Sequence, residues 1–172
     1  QTAVLGNWAL QNRNAAQTIA IGSWAGYKST APVNFVQNNI YMGFGAGINS
    51  TGDSSIYIGA NTGAGAPGDR NMFIGHDAGY VSSGAFNTVI GKSAGYSFSG
   101  DNNVFLGPYT GYGTTGNGNI FIGNYAGYLA GTVSNQLRID NTNTSAPLIQ
   151  GNFAIDLLRI NGTLNINNNY SF

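Results

Sequence analysis

One ten-residue phrase organises the chain. Asn119-Ile-Phe-Ile-Gly-Asn-Tyr-Ala-Gly-Tyr128 recurs at Asn103–Tyr112, Asn87–Tyr96 and Asn71–Tyr80, and more loosely at Ser55–Ala64, Asn39–Ile48 and Thr18–Tyr27. Its first glycine falls at Gly22, Gly43, Gly59, Gly75, Gly91, Gly107 and Gly123, so the step is constant at sixteen from Gly43 onward. Gly6, one such step before Gly22, opens a degenerate eighth copy, and the one longer step, from Gly22 to Gly43, carries a five-residue insertion within residues 28–38. A fixed period of this size marks a unit that cannot bury its apolar face alone and must stack on its neighbours.

Each copy places three β-favouring residues before its first glycine, as in Ile40-Tyr41-Met42, Ile56-Tyr57-Ile58 and Ile120-Phe121-Ile122. Short β-branched and aromatic runs bounded by Gly and Asn are strands. Linkers such as Ser50-Thr51-Gly52-Asp53 and Ala66-Pro67-Gly68-Asp69 are turn chemistry. With a second extended piece through Ala-Gly-Tyr, one repeat makes one rung of a flattened β-roll. The expected fold is all-β: a β-solenoid of about eight rungs over residues 1–134, then a small C-terminal β module over 135–172. In that module Asn135-Gln-Leu-Arg-Ile-Asp140 starts like another copy with Ile139 in place of the glycine, and Gly151-Asn152 and Asn161-Gly162 read as hairpin turns. The ending Asn-Asn-Tyr-Ser-Phe172 reads as a cut or processing point. The Asn or Ser before each strand is expected to stack in a ladder that satisfies backbone groups.

The chain has 172 residues, zero formal net charge, 7% charged residues, no Glu and no Cys. So neutral a surface does not attract nucleic acid or anionic membrane. The lack of Cys removes disulfides and thiolate metal sites, and no apolar run approaches the roughly 20 residues of a membrane span.

Side chains alternate faces along a strand, so Ile120 and Ile122 point one way and Phe121 the other. With the isoleucines assigned to the inside, the aromatic ladder Tyr41, Tyr57, Phe73, Phe105, Phe121 lies outside. A contiguous apolar surface of that size calls for a partner, and the expected one is a second copy of the chain in a homo-oligomer, a trimer, intertwined or side by side. Tyr80, Tyr96, Tyr112 and Tyr128 form a second stripe.

The repeat Asn-x-Phe-Ile-Gly-x-x-Ala-Gly-Tyr resembles repeats of bacterial and phage tail-fibre-like surface proteins, in which such an array often precedes a self-cleaving intramolecular chaperone of the endosialidase type. The stretch Leu137–Phe153 with Ile160–Ile166 is similar to the segment linking such arrays to the chaperone. The head repeats of trimeric autotransporter adhesins are similar at a shorter period. The resemblance implies an extracellular, cell-surface or virion-appendage fibre segment. It transfers no catalytic residue.

The two positions after each first glycine vary freely, so a ligand preference is expected there. The stripe includes Trp8, Trp24, His76, Asp77, Lys92, Tyr109 and Tyr125, and its aromatic members could stack on a glycan. His76 and Asp77 with Lys92 one rung on could be taken as a site, but a solvated surface pair is the simpler reading. No second histidine or carboxylate completes a metal site or triad. Gly63-Ala-Gly-Ala-Pro-Gly68 matches a dinucleotide string but opens no helix. Asp53, Asp69 and Asp101 recur in only some turns, against the fixed Asp spacing of calcium rolls. Thr62, Thr88 and Thr110 are too scattered for an ice-binding ladder. The expectation is a structural or adhesive fibre segment that is not an enzyme and holds no cofactor or metal, with glycan recognition as the alternative.

Overall fold

The computed structural model describes residues 1–11, 14–28 and 35–164. Residues 29–34 of the insertion, Pro32 and Val33 included, and residues 165–172 lie outside the described residues.

The strands are β1 (Ala3–Leu5), β2 (Asn14–Ala16), β3 (Ile19–Ile21), β4 (Phe35–Gln37), β5 (Ile40–Met42), β6 (Ile56–Ile58), β7 (Met72–Ile74), β8 (Thr88–Ile90), β9 (Val104–Leu106), β10 (Ile120–Ile122), β11 (Gln136–Ile139), β12 (Ile149–Asn152) and β13 (Leu157–Ile160). The main sheet has eleven strands, in order β1-β3-β5-β6-β7-β8-β9-β10-β11-β12-β13. Pairing is parallel from β1 to β11 and antiparallel for β11–β12 and β12–β13. β2 and β4 form a second, two-stranded parallel sheet at the insertion. The fold is thus a β-solenoid of about eight turns, and each regular turn is one sequence repeat long, as in the pairing of Tyr41 with Tyr57 and Phe105 with Phe121.

The rest of each rung is not the extended piece that the repeat suggests. In the last rung Gly123 O accepts from Ala126 N (3.3 Å), Tyr125 O from Tyr128 N (3.0 Å) and Gly127 O from Ala130 N (3.1 Å). The second central residue of each turn, Tyr125, Gly127 and Leu129, has φ of 59°, 66° and 48°. An i to i+3 bond with positive φ at the third residue defines a type II turn, so this wall is a run of three overlapping type II turns. Pro108, first central residue of the equivalent turn Gly107–Thr110, has the φ that such a turn wants. The residues with positive φ donate their N–H to neighbouring rungs: Tyr125 to Pro108 O, Leu129 to Tyr112 O and Gly111 to Ala126 O.

The interior corrects the face assignment made from the sequence. Tyr41, Tyr57, Phe73, Phe105 and Phe121 are each 0% exposed and fill the roll, while Ile120 and Ile122 sit on the outside, half-buried. The five aromatic residues are core, so they cannot be the oligomer interface. The reason is geometric: a three-residue strand between two corners turns one side chain inward, the middle one. The space it enters is cleared by the second glycine of the repeat. A Cβ on Gly63 would lie 2.6 Å from the Tyr57 ring, and one on Gly111 2.6 Å from the Phe105 ring. The rings stack from rung to rung, Tyr57–Phe73 at 5.1 Å and Phe105–Phe121 at 5.3 Å between centroids.

One rung departs from this column and is compensated. Val89 takes the aromatic position, and Phe98, 2% exposed, turns in from the turn wall to meet Phe73 and Phe105 edge-on at 6.0 and 5.4 Å. Val89→Phe alone is expected to cost about 1–3 kcal/mol through overpacking, and Phe98→Ser alone about 3–5 kcal/mol. The double variant should cost far less than the sum in a urea-denaturation cycle. Simple additivity would show that the two residues do not share one space.

The polar ladder before the strands is present and buried. Asn87 N donates to Asn71 Oδ1 (2.9 Å), Asn103 N to Asn87 Oδ1 (2.8 Å) and Asn119 N to Asn103 Oδ1 (2.9 Å). Each Nδ2 then reaches a carbonyl in the following turn, as Asn103 to Gly116 O at 3.0 Å.

At the C-terminal end the register changes. Ile120 pairs with Leu137 and Phe121 with Arg138, one position further on than the constant step of the array, so Asp140 and not Ile139 stands in the glycine position. Gly151-Asn152 lies inside β12 and is no turn; the chain turns instead at 153–156, where Asp156 has φ 53°.

Candidate functional site

The stripe named from the sequence lies along the first type II turn of each rung, on the outside of the roll. Its second position has positive φ in every copy, including Trp8 (63°), Trp24 (64°), Asp77 (56°), Tyr109 (57°) and Tyr125 (59°). It is therefore less free than the sequence implies. The left-handed region costs a non-glycine residue about 1–2 kcal/mol and is worst for β-branched ones; none of the eight copies has Val, Ile or Thr there.

The structure gathers the named residues into three groups. Trp8 stacks on Trp24 at 5.8 Å, and Trp24 meets Tyr27 edge-on at 4.6 Å. His76 Nδ1 lies 2.8 Å from Asp77 Oδ2, whose other oxygen accepts from Asn61 Nδ2 at 3.2 Å. Lys92 does not join that pair: its Nζ sits over the Tyr109 ring at 5.9 Å, and Tyr109 stacks on Tyr125 at 4.8 Å. Beside them Tyr80, Tyr96, Tyr112 and Tyr128 stack at 4.9–5.0 Å, with Tyr125 edge-on to Tyr128 at 5.3 Å. Desolvation, then the neighbouring Tyr80 and Tyr112 phenols, holds the Tyr96 phenol above its ordinary value. Rings packed face to face show their edges outward, so most of the faces that a sugar would stack on are already occupied.

Other polar groups have structural assignments. Asp69 Oδ1 accepts Asp53 N (2.9 Å), Asp101 Oδ1 accepts Ala85 N (2.8 Å) and Asp53 Oδ1 accepts Gln37 N (2.9 Å). These aspartates tie each turn to the rung before it. Thr62 and Thr110, both 0% exposed, donate to Gly75 O and Gly123 O. Among the described residues no three His, Cys, Asp or Glu side chains are grouped to hold a metal ion, and no helix is long and apolar enough to cross a membrane.

The most extended unpartnered feature is one that the sequence reading had placed inside. The outer face of the main sheet carries two columns, Ile19, Ile40, Ile56, Met72, Thr88, Val104, Ile120, Leu137 and Ile21, Met42, Ile58, Ile74, Ile90, Leu106, Ile122, Ile139. Antiparallel pairing continues them through Ile149, Leu158 and Ile160. Neither column holds a charged residue. Fold and surface together define a β-solenoid repeat protein with one flat apolar wall. No family model, no curated protein and no solved structure matches the chain.

Proposed function

We propose that this chain is a non-catalytic structural segment of an extracellular fibre or surface appendage, assembled as a parallel homotrimer through the outer face of its main sheet. The observation that carries the reading is that two-column apolar face. Its more open members include Ile19 at 39%, Met42 at 38% and Ile90 at 36%, and most of the others are half-buried. Two continuous apolar columns running the length of the array make a larger contiguous patch than a typical monomer leaves wet, and one of the shape that a stable interface covers. A parallel three-fold ring of rods in register sets like rungs at one height and, by closing, leaves neither contact surface unmatched. The tail-fibre-like repeat and the nearly uncharged composition support the extracellular setting. The carbohydrate reading draws less support, because the aromatic stripe spends its ring faces on itself.

Sedimentation tests this. The chain is expected to run at three times its 17.9 kDa, and Met42→Lys with Ile90→Lys should give monomers that keep the β circular-dichroism spectrum, since neither side chain reaches the core. A wild-type monomer at micromolar concentration would sink the proposal.

A further inference from the structure

Beyond β10 the two faces of the sheet part company. The outer columns continue apolar, while the inner column, apolar through the array and mostly aromatic, passes from Phe121 to Arg138, Gln150 and Arg159 by strict register. Residues directly opposite in antiparallel strands share a face about 5 Å apart, so Gln150 stands between the two arginines on one face. Beside the row, Gln136, Gln150, Gly151, Asn152, Leu157 and Arg159 line an open recess of about 140 Å³, with Arg138 next to it and not in its lining.

Among the described residues nothing neutralises this row: the one side-chain ion pair is His76–Asp77. Asp140, the nearest carboxylate in sequence, is engaged by Asn141 N and Thr142 Oγ1, both at 2.9 Å. Arg138 lies over the Phe121 ring at 5.4 Å, and its Nε is buried without a hydrogen-bond partner. Desolvation holds its guanidinium below the usual arginine value. An arginine set against an aromatic ring with a buried, unpartnered Nε, and a second arginine across a primary amide beside a recess, make a donor-rich row with no carboxylate paired to it.

We propose that the Arg138–Gln150–Arg159 row is a binding site for a carboxylate anion. A guanidinium fork matches a carboxylate bidentately, the Gln150 amide can donate between the two forks, and Leu157, 46% exposed, offers an apolar edge. The carboxylate can come from an acidic saccharide or from an aspartate of another copy of the chain. The site faces away from the proposed assembly surface, so the saccharide source is tested independently of that reading, while the second source rests on self-association of the chain.

The test follows the Arg138 Nε–H resonance in ¹⁵N-labelled protein titrated with sodium glucuronate, against glucose and sodium chloride at matched ionic strength. A saturable shift with glucuronate alone, weakened at least ten-fold in Arg159→Gln, supports a saccharide carboxylate. No response to glucuronate, with at least ten-fold weaker self-association of Arg159→Gln on dilution, supports an aspartate from another copy. A silent resonance and an unchanged association constant would overturn the proposal. Arg159 is exposed, so its substitution leaves the core intact.

Discussion

Gly91→Ala is expected to cost the protein more than about 4 kcal/mol, enough to prevent folding at ordinary temperature. Gly91 sits at the corner after β8 with φ 139°, and a Cβ there would lie 2.5 Å from Gly107 O and 2.6 Å from Gly107 C. Both are backbone atoms of the next rung and cannot swing aside. The same contact repeats at Gly22, Gly43, Gly59, Gly75 and Gly107, so one added methyl must push two rungs apart against the bonds on either side. Gly65→Ala is the control. Gly65 also has positive φ, 70°, but a Cβ there meets nothing nearer than Val81 Cα at 4.0 Å. It should cost only the conformational strain, about 1 kcal/mol. Urea midpoints for the two variants separate rung spacing from backbone strain, and equal losses would show that close approach of the corners is not what demands glycine.

Asn103→Asp should destabilise by about 3–5 kcal/mol at neutral pH, as an uncompensated buried charge does, and recover in part on acidification. Asn103 is 0% exposed and uses both ends of its amide. Oδ1 accepts from Asn119 N at 2.9 Å and Asn119 Nδ2 at 3.1 Å, and Nδ2 donates to Asn87 Oδ1 and Gly116 O. A carboxylate keeps the first two bonds but turns an anionic oxygen on two carbonyl oxygens. Protonation restores a donor, so the folded state holds the proton more tightly than the unfolded chain. The variant's folded pKa is therefore raised, and its stability is greatest below the ordinary Asp value of about 3.9 and falls as pH rises through the folded one. A melting temperature that did not respond to pH between 3 and 7 would contradict this account of the ladder.

Much of the architecture was legible because the repeat fixes the spacing of equivalent residues. The strands of the regular array, Ile40–Met42 through Ile120–Ile122, fall where the β-favouring triplets stand. Which face is inside was not legible from the triplet. Alternation separates Phe121 from Ile120 and Ile122 without choosing between them, and the choice rests on Gly127, placed across the roll by a turn wall that looks extended in sequence. The same limit hid Arg138. At the constant step of the array Leu137 falls under Phe121, but the turn wall gains one residue between Thr115 and Thr132, and a slip of one residue exchanges the faces of a strand. One signal was available: the triplet Leu-Arg-Ile occurs twice, at 137–139 and 158–160, with arginine at the centre each time. The left-handed backbone of the aromatic stripe and its self-stacking follow from turn geometry that no local pattern announces.

The overlapping turns have a mechanical corollary. The chain wound into each rung would span roughly 55 Å if drawn out at about 3.4 Å per residue, while a rung adds only about 4.8 Å to the rod. The bonds that join rungs lie along the long axis, so a pull between the ends loads them one layer at a time and does not shear the whole sheet. Each rung that peels away would release roughly eleven times its own thickness. A tether made of such rungs would lengthen in small, separate yields under load, with the layers still stacked continuing to hold.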